Sequence, residues 1–154
     1  MAGLPLKKHE MENQPNEQHP HDSRAVNITD LIKKRFDILI TAPDSTYSQT
    51  FELDKTIKFV KGVMLTADKD DLLYYRGSQK IEVNRFELFP EGYESKLLMS
   101  GINCSPNDRY YETGELPIGN AQVKMEYKDT SDGRTQFVAY RVSIYLDCEL
   151  INHP

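Results

Sequence analysis

Residues 121–150 read AQVKMEYKDTSDGRTQFVAYRVSIYLDCEL. In the second half, Val138, Tyr140, Val142, Ile144, Leu146, Cys148 and Leu150 alternate with Ala139, Arg141, Ser143, Tyr145, Asp147 and Glu149. Seven apolar positions at period two predict a long strand with one side on a core. In the first half, Ala121, Val123, Met125 and Tyr127 alternate with Gln122, Lys124, Glu126 and Lys128, which predicts a second strand. Asp129-Thr130-Ser131-Asp132-Gly133-Arg134 separates them. Asp-Gly is a hairpin signal, because glycine takes the positive φ that the turn demands. The spacing predicts that the two strands pair antiparallel.

Working outward, the same period recurs in shorter pieces. Strands are predicted over residues 36–41, 50–53, 56–66, 72–76, 80–88, 96–102 and 109–112. Turn chemistry separates them: Ala42-Pro43-Asp44-Ser45, the Asp68-Lys69-Asp70-Asp71 cluster, Gly77-Ser78, Pro90-Glu91-Gly92, Ser105-Pro106-Asn107-Asp108 and Pro117-Ile118-Gly119-Asn120. Within 80–88 the apolar phase slips from Ile81 and Val83 to Phe86 and Leu88. The slip predicts a bulge near Asn84 or Arg85. Eight or nine short strands with almost no helix define an all-β chain. The predicted class is an antiparallel β-sandwich, with a jelly roll as the leading topology.

The chain divides near residue 30. All fifteen Phe and Tyr lie between Phe36 and Tyr145. Residues 1–30 hold Pro5, Pro15 and Pro20, a run of Asn, Gln and Glu, and three of the four histidines. Such a segment cannot bury enough apolar surface to offset its ordering entropy, so a polar N-terminal arm followed by a sandwich domain over 31–154 is expected. A short helix is predicted to start near Thr29, where Thr and Asp precede Leu31-Ile32-Lys33-Lys34.

Charge and motif content narrow the function. The 154 residues carry 19 Lys and Arg against 24 Asp and Glu, a net charge of −5. An acidic chain argues against a general nucleic-acid surface, whose affinity rests on clustered cations. No apolar run has the ~18–20 residues of a membrane span, and the N-terminus has no apolar core of a secretory signal. The sequons at Asn27 and Asn103 are therefore read as chance. Cys104 and Cys148 are too few for a disulfide framework and are expected to be free thiols.

The histidines are His9, His19, His21 and His153, outside the alternating region. A Ser-His-Asp or Cys-His centre needs an imidazole held rigidly against its nucleophile, so the chain is expected not to be an enzyme. His19-Pro20-His21 matches the H-x-H of cupins but lacks their strand setting and the second shell that tunes a metal. Asp68, Asp70 and Asp71 fail the calcium-loop pattern, because the sixth position is Leu73 instead of glycine. No phosphate-loop, dinucleotide or C-x-x-C motif is present. The expectation is no catalytic residue, no cofactor and no metal. A hydrolase built on paired carboxylates is the least supported alternative.

Aromatic placement is the positive signal. Tyr74-Tyr75 and Tyr110-Tyr111 are adjacent pairs, so in a strand one of each pair points away from the core. Phe137, Arg141 and Tyr145 fall opposite the seven-residue stripe. Outward aromatics with a polar end are enriched where proteins meet. These seven residues are the candidate partner interface. A polar arm leading into a helix-poor jelly roll resembles, in layout, bacteriophage virion proteins such as minor capsid, vertex or decoration subunits. That resemblance implies a structural subunit in a homo-oligomer or lattice, bound to copies of itself or to other virion subunits, in the virion or in the cytoplasm during assembly. The alternative is a module that binds a small ligand or glycan on the loops at one end of the sandwich.

Overall fold

The computed structural model describes Gly3 and residues 30–151. The elements follow as β1 (Leu31–Ile40), β2 (Thr46–Glu52), β3 (Ile57–Ala67), α1 (Asp70–Arg76), β4 (Gly77–Val83), β5 (Phe86–Glu94), β6 (Tyr111–Pro117), β7 (Gln122–Asp129) and β8 (Tyr140–Leu150). The predicted arm and Thr29 lie outside the described residues. Leu31 to Lys34 open strand β1 and do not continue a helix.

Two four-stranded antiparallel sheets form a β-sandwich. The first has the order β1-β8-β3-β6 and the second β2-β7-β4-β5. Strand pairs β1 with β8, β2 with β7, β3 with β6 and β4 with β5 are those of one long ribbon doubled back on itself. Pairings of β3 with β8 and β4 with β7 complete the sheets.

The predicted hairpin of 121–128 with 138–150 does not form. Strand β7 belongs to the second sheet and β8 to the first, so residues 130–139 arch across the sandwich. A buried polar cluster sits at the crossing. Asp129 is fully buried and accepts from Arg76 Nε at 3.0 Å, Arg76 Nη2 at 2.8 Å and Tyr140 Oη at 2.8 Å. A buried carboxylate requires such partners. Arg76 Nη1 also donates to the Thr135 carbonyl at 3.0 Å, which ties the arch to α1.

Most of the apolar stripes face the core, but Val138, read as the first position of the last strand, lies in the arch ahead of β8 and is 48% exposed. Tyr140, Val142, Ile144, Leu146 and Cys148 of β8 and Val123, Met125 and Tyr127 of β7 are all buried in one core. Ile38, Ile40, Val60, Val63 and Leu65 line the first sheet, and Ile81 and Val83 the second. Phe36 stacks on Phe51 at 4.5 Å, joining edge strands β1 and β2 of opposite sheets.

Three predicted strands are corrected. Residues 72–76 belong to α1, where Leu72, Leu73 and Arg76 share the buried face at helical spacing. A short apolar run reads alike as strand or helix until its partners are known. Residues 80–88 contain two strands, because the phase slip is a two-residue hairpin turn and not a bulge. Asn84 and Arg85 both have positive φ, at 50° and 63°. Residues 96–102 hold a 3-10 turn (Ser95–Leu98) followed by irregular chain.

Candidate interaction surface

The outward positions of the two sheets differ in chemistry. On the second sheet, Lys80 pairs with Glu82 at 3.2 Å and Lys124 with Glu126 at 3.7 Å. The register aligns Ser48, Glu126 and Lys80 in one row and Thr50, Lys124 and Glu82 in the next. This is a face checkered with charge of both signs. It suits water.

On the first sheet the outward residues of β8 are Arg141, Ser143, Tyr145, Asp147 and Glu149, flanked by Leu39, Asp37, Arg35 and Lys33 of β1 and by Met64 and Thr66 of β3. Ser143 is wholly buried although it points away from the core, and its hydroxyl donates to Asp37 Oδ1 at 2.7 Å. Arg35 Nε donates to the same oxygen at 2.9 Å. These bonds, Arg35 first and Ser143 second, hold the Asp37 carboxyl below its ordinary range. The Arg35 guanidinium lies 5.7 Å from the Tyr145 ring, within cation–π reach. Lys33 reaches Asp147 at 2.5 Å and lies 4.6 Å from the Tyr110 ring.

Gly62 makes room for Tyr110. A β-carbon on Gly62 would stand 2.9 Å from Tyr110 Cβ, so only glycine lets Tyr110 lie over the sheet. Burial raises the Tyr110 phenol above its ordinary range. Leu39 is 65% exposed, and the Arg141 Nε is buried with no hydrogen-bond partner. The face thus mixes Leu39, Met64, Tyr110 and Tyr145 with the Lys33–Asp147 and Arg35–Asp37 ion pairs, beside the unpartnered Arg141 Nε.

The seven predicted interface residues therefore divide. Tyr110, Arg141 and Tyr145 share the outer face of the first sheet. Tyr111 sits on edge strand β6, half exposed, with its ring edge-on to Phe89 at 5.2 Å. Phe137 lies in the arch ahead of β8 and packs beside Tyr140, with the Arg76 guanidinium 5.4 Å from its ring. It shields the buried ion pair and is not on the outer face. Tyr74 and Tyr75 are both exposed on α1, in edge contact at 4.8 Å. They border an open hollow of about 550 Å³ with Glu94, Lys96, Thr130 and Ser131. Sequence reading missed Leu39, Met64 and Arg35, whose role depends on which strands β8 adopts as neighbours.

Behind the hollow lies a closed polar network. The Tyr127 and Tyr140 hydroxyls are 2.8 Å apart, and burial drives both phenols well above their ordinary range. Ser95 donates to Gln79, whose amide nitrogen donates to the Tyr93 carbonyl at 3.1 Å. Gly77 closes against this network: a β-carbon there would meet Tyr127 Oη at 2.4 Å. These bonds join side chains of β4, β7 and β8 to the end of β5 and the turn that follows it, which makes the cluster a brace between strands.

Among the described residues no group of three or more His, Cys, Asp or Glu is placed to hold a metal ion. No helix among them is long and apolar enough to cross a membrane. Cys104 is exposed and Cys148 buried, with no bond between them. No protein-family model matches the chain, and neither a curated protein nor a solved structure matches it.

Proposed function

We propose that the chain is a non-enzymatic assembly subunit, and that its doubled-ribbon wiring is a jelly roll serving a virion. In this reading the outer face of the β1-β8-β3-β6 sheet docks on neighbouring protein subunits, either copies of the chain or other virion components. The observation that supports it is the inequality of the two outer faces. Both faces carry ion pairs, Lys80–Glu82 and Lys124–Glu126 on one and Lys33–Asp147 and Arg35–Asp37 on the other, and the first sheet's face adds Leu39, Met64, Tyr110 and Tyr145. Interface centres are depleted in free charge and enriched in aromatic residues, Met and Arg. The polar, aromatic-free first 30 residues supply the arm, and the subunit works in the virion, or in the cytoplasm during assembly.

The test is light scattering and negative-stain imaging of the purified full-length chain beside Tyr145→Ser and Met64→Ser variants. Ordered oligomers that dissolve in the variants, with unchanged circular dichroism, are the expected result. A chain that neither self-assembles nor binds a partner particle, or that turns over a substrate through one buried side chain, defeats the proposal.

The Tyr74–Tyr75 hollow favours the second reading, a small-ligand or glycan site. Two exposed rings beside Lys96 and Glu94 offer stacking and hydrogen bonding to a sugar. A ligand at ~100 times its Kd would add about 2.7 kcal/mol to stability, an effect that Tyr74→Ala would remove. A broad glycan screen with no thermal shift ends this alternative.

A further inference from the structure

A sheet edge exposes a row of unpaired backbone groups, and proteins protect edges with charge, proline, glycine kinks or bulges. Three of the four edges here are protected. Strand β1 carries consecutive Lys33, Lys34 and Arg35. Strand β5 has Pro90, Gly92 at φ 82° and two register breaks against β4. Strand β6 has Gly114 at φ 74°, Pro117 and a register break against β3.

Of these devices strand β2 carries only a single charge, Glu52, at its end. Its sequence, Thr46-Tyr47-Ser48-Gln49-Thr50-Phe51-Glu52, lacks Lys, Arg, Pro and Gly, and its seven-residue register with β7 is unbroken. It is also held rigid. The Tyr47 hydroxyl accepts from the Thr41 and Ala42 backbone N–H groups at 2.9 and 2.8 Å, and Phe51 is stacked on Phe36.

We propose that β2 is a pairing edge and that its occupant is β2 of a second copy, running antiparallel about a two-fold axis through Gln49. The inference rests on the assembly reading and names one contact within it. Self-complementarity of the strand is the argument. Full overlap sets Tyr47 opposite Phe51 of the second copy, Ser48 opposite Thr50, Gln49 opposite Gln49, and Thr46 opposite Glu52. Aromatic pairs and Ser/Thr hydroxyl pairs are stabilising when directly opposite across strands, and no like charges meet.

The flanking strand extends the match. Thr50 aligns with Lys124 and Ser48 with Glu126, so the Lys124 row of one copy continues into the Glu126 row of the other. Thr46 aligns with Lys128, which places Lys128 two strand spacings, ~10 Å, from Glu52 of the second copy. The two second sheets would merge into one of eight strands, closing both unprotected edges in a single isologous contact.

The test uses the full-length chain in sedimentation and light-scattering runs across about 1 μM to 1 mM, the range of weak to moderate association. The wild type is expected to give particles whose mass is an even multiple of the 17.8 kDa chain. Ser48 and Thr50 are exposed and point outward, so charge there spares the core. Ser48→Lys/Thr50→Lys is expected to lose the two-fold contact, as is Ser48→Glu/Thr50→Glu. An equimolar mixture of the two, and the single chain Ser48→Lys/Thr50→Glu, are expected to regain it. A wild-type chain that remains monomeric overturns the inference and the self-association on which it rests. Assembly that survives both like-charge variants but is lost in Tyr145→Ser overturns the edge contact alone and leaves the face reading standing.

Discussion

Replacing Asp129 with Asn removes the charge that holds the arch between β7 and β8. The carboxylate is fully buried and accepts from Arg76 Nε and Nη2 and from the Tyr140 hydroxyl, while Arg76 itself is only 4% exposed. The substitution leaves a buried guanidinium without its counter-ion and turns one acceptor into a donor. Breaking a buried pair from one side costs ~3–5 kcal/mol, because the remaining charge is uncompensated. At about 4 °C per kcal/mol for a domain of this size, the melting temperature should fall by roughly 12–20 °C. Arg76→Gln should cost a similar amount, through the stranded carboxylate. The double variant Arg76→Gln/Asp129→Asn restores a neutral, hydrogen-bonded pair and should cost less than either single change. Urea unfolding followed by circular dichroism gives the three free energies and their coupling. Costs that simply add, or a single-variant cost under ~1 kcal/mol, would show that the pair does not hold the arch.

Ile144→Ala should lose ~2–5 kcal/mol through a cavity between the sheets, and Ser143→Ala about 1–2 kcal/mol through the stranded Asp37 bond, both read by urea unfolding. A free Ser143→Ala substitution would show that the outer-face hydrogen bond is not made in solution. The Asp132 carboxyl is depressed to about 2 by the Thr135 backbone N–H, with the Arg134 N–H and the Thr135 hydroxyl adding to it. A folded value below the ordinary 3.8 means stability is fully present above that pH and is lost as pH falls toward 2. Asp37 acts in the same direction. Melting temperatures taken from pH 5 to 2 should therefore fall, and Asp132→Ala should flatten the slope. Burial pushes the Cys148 thiol up to about 12, while Cys104 is exposed, so a thiol reagent at pH 8 should modify one cysteine per native chain and both in denaturant.

The alternation was enough to establish the long strand over 140–150, though Val138 lies ahead of it and is exposed, and the recurrence of period two was enough to establish an all-β sandwich, though Gly77-Ser78 and Pro90-Glu91-Gly92, read as turns, lie within β4 and β5. Each depends on local period alone. The partners of those strands were not legible. An apolar stripe is satisfied equally by a hairpin neighbour or by a facing sheet, and the arch that carries β7 and β8 to different sheets buries Asp129 against Arg76, 53 residues away in sequence. The Leu72-Leu73-Tyr74-Tyr75 run was ambiguous for a related reason: a short apolar stretch takes the form that best covers the end of the core, here a helix. Tyr145 was recognisable as an outward aromatic from its parity, but parity could not choose between Tyr110 and Tyr111, since Tyr110 precedes β6, nor place Phe137, because strand parity has no meaning in an arch. The face built by Leu39, Met64 and Tyr145 exists only because tertiary pairing lays β1 and β3 on either side of β8. Side-chain period is a property of one strand, whereas neighbourhood belongs to the sheet, and long-range packing and buried charge decide the sheet.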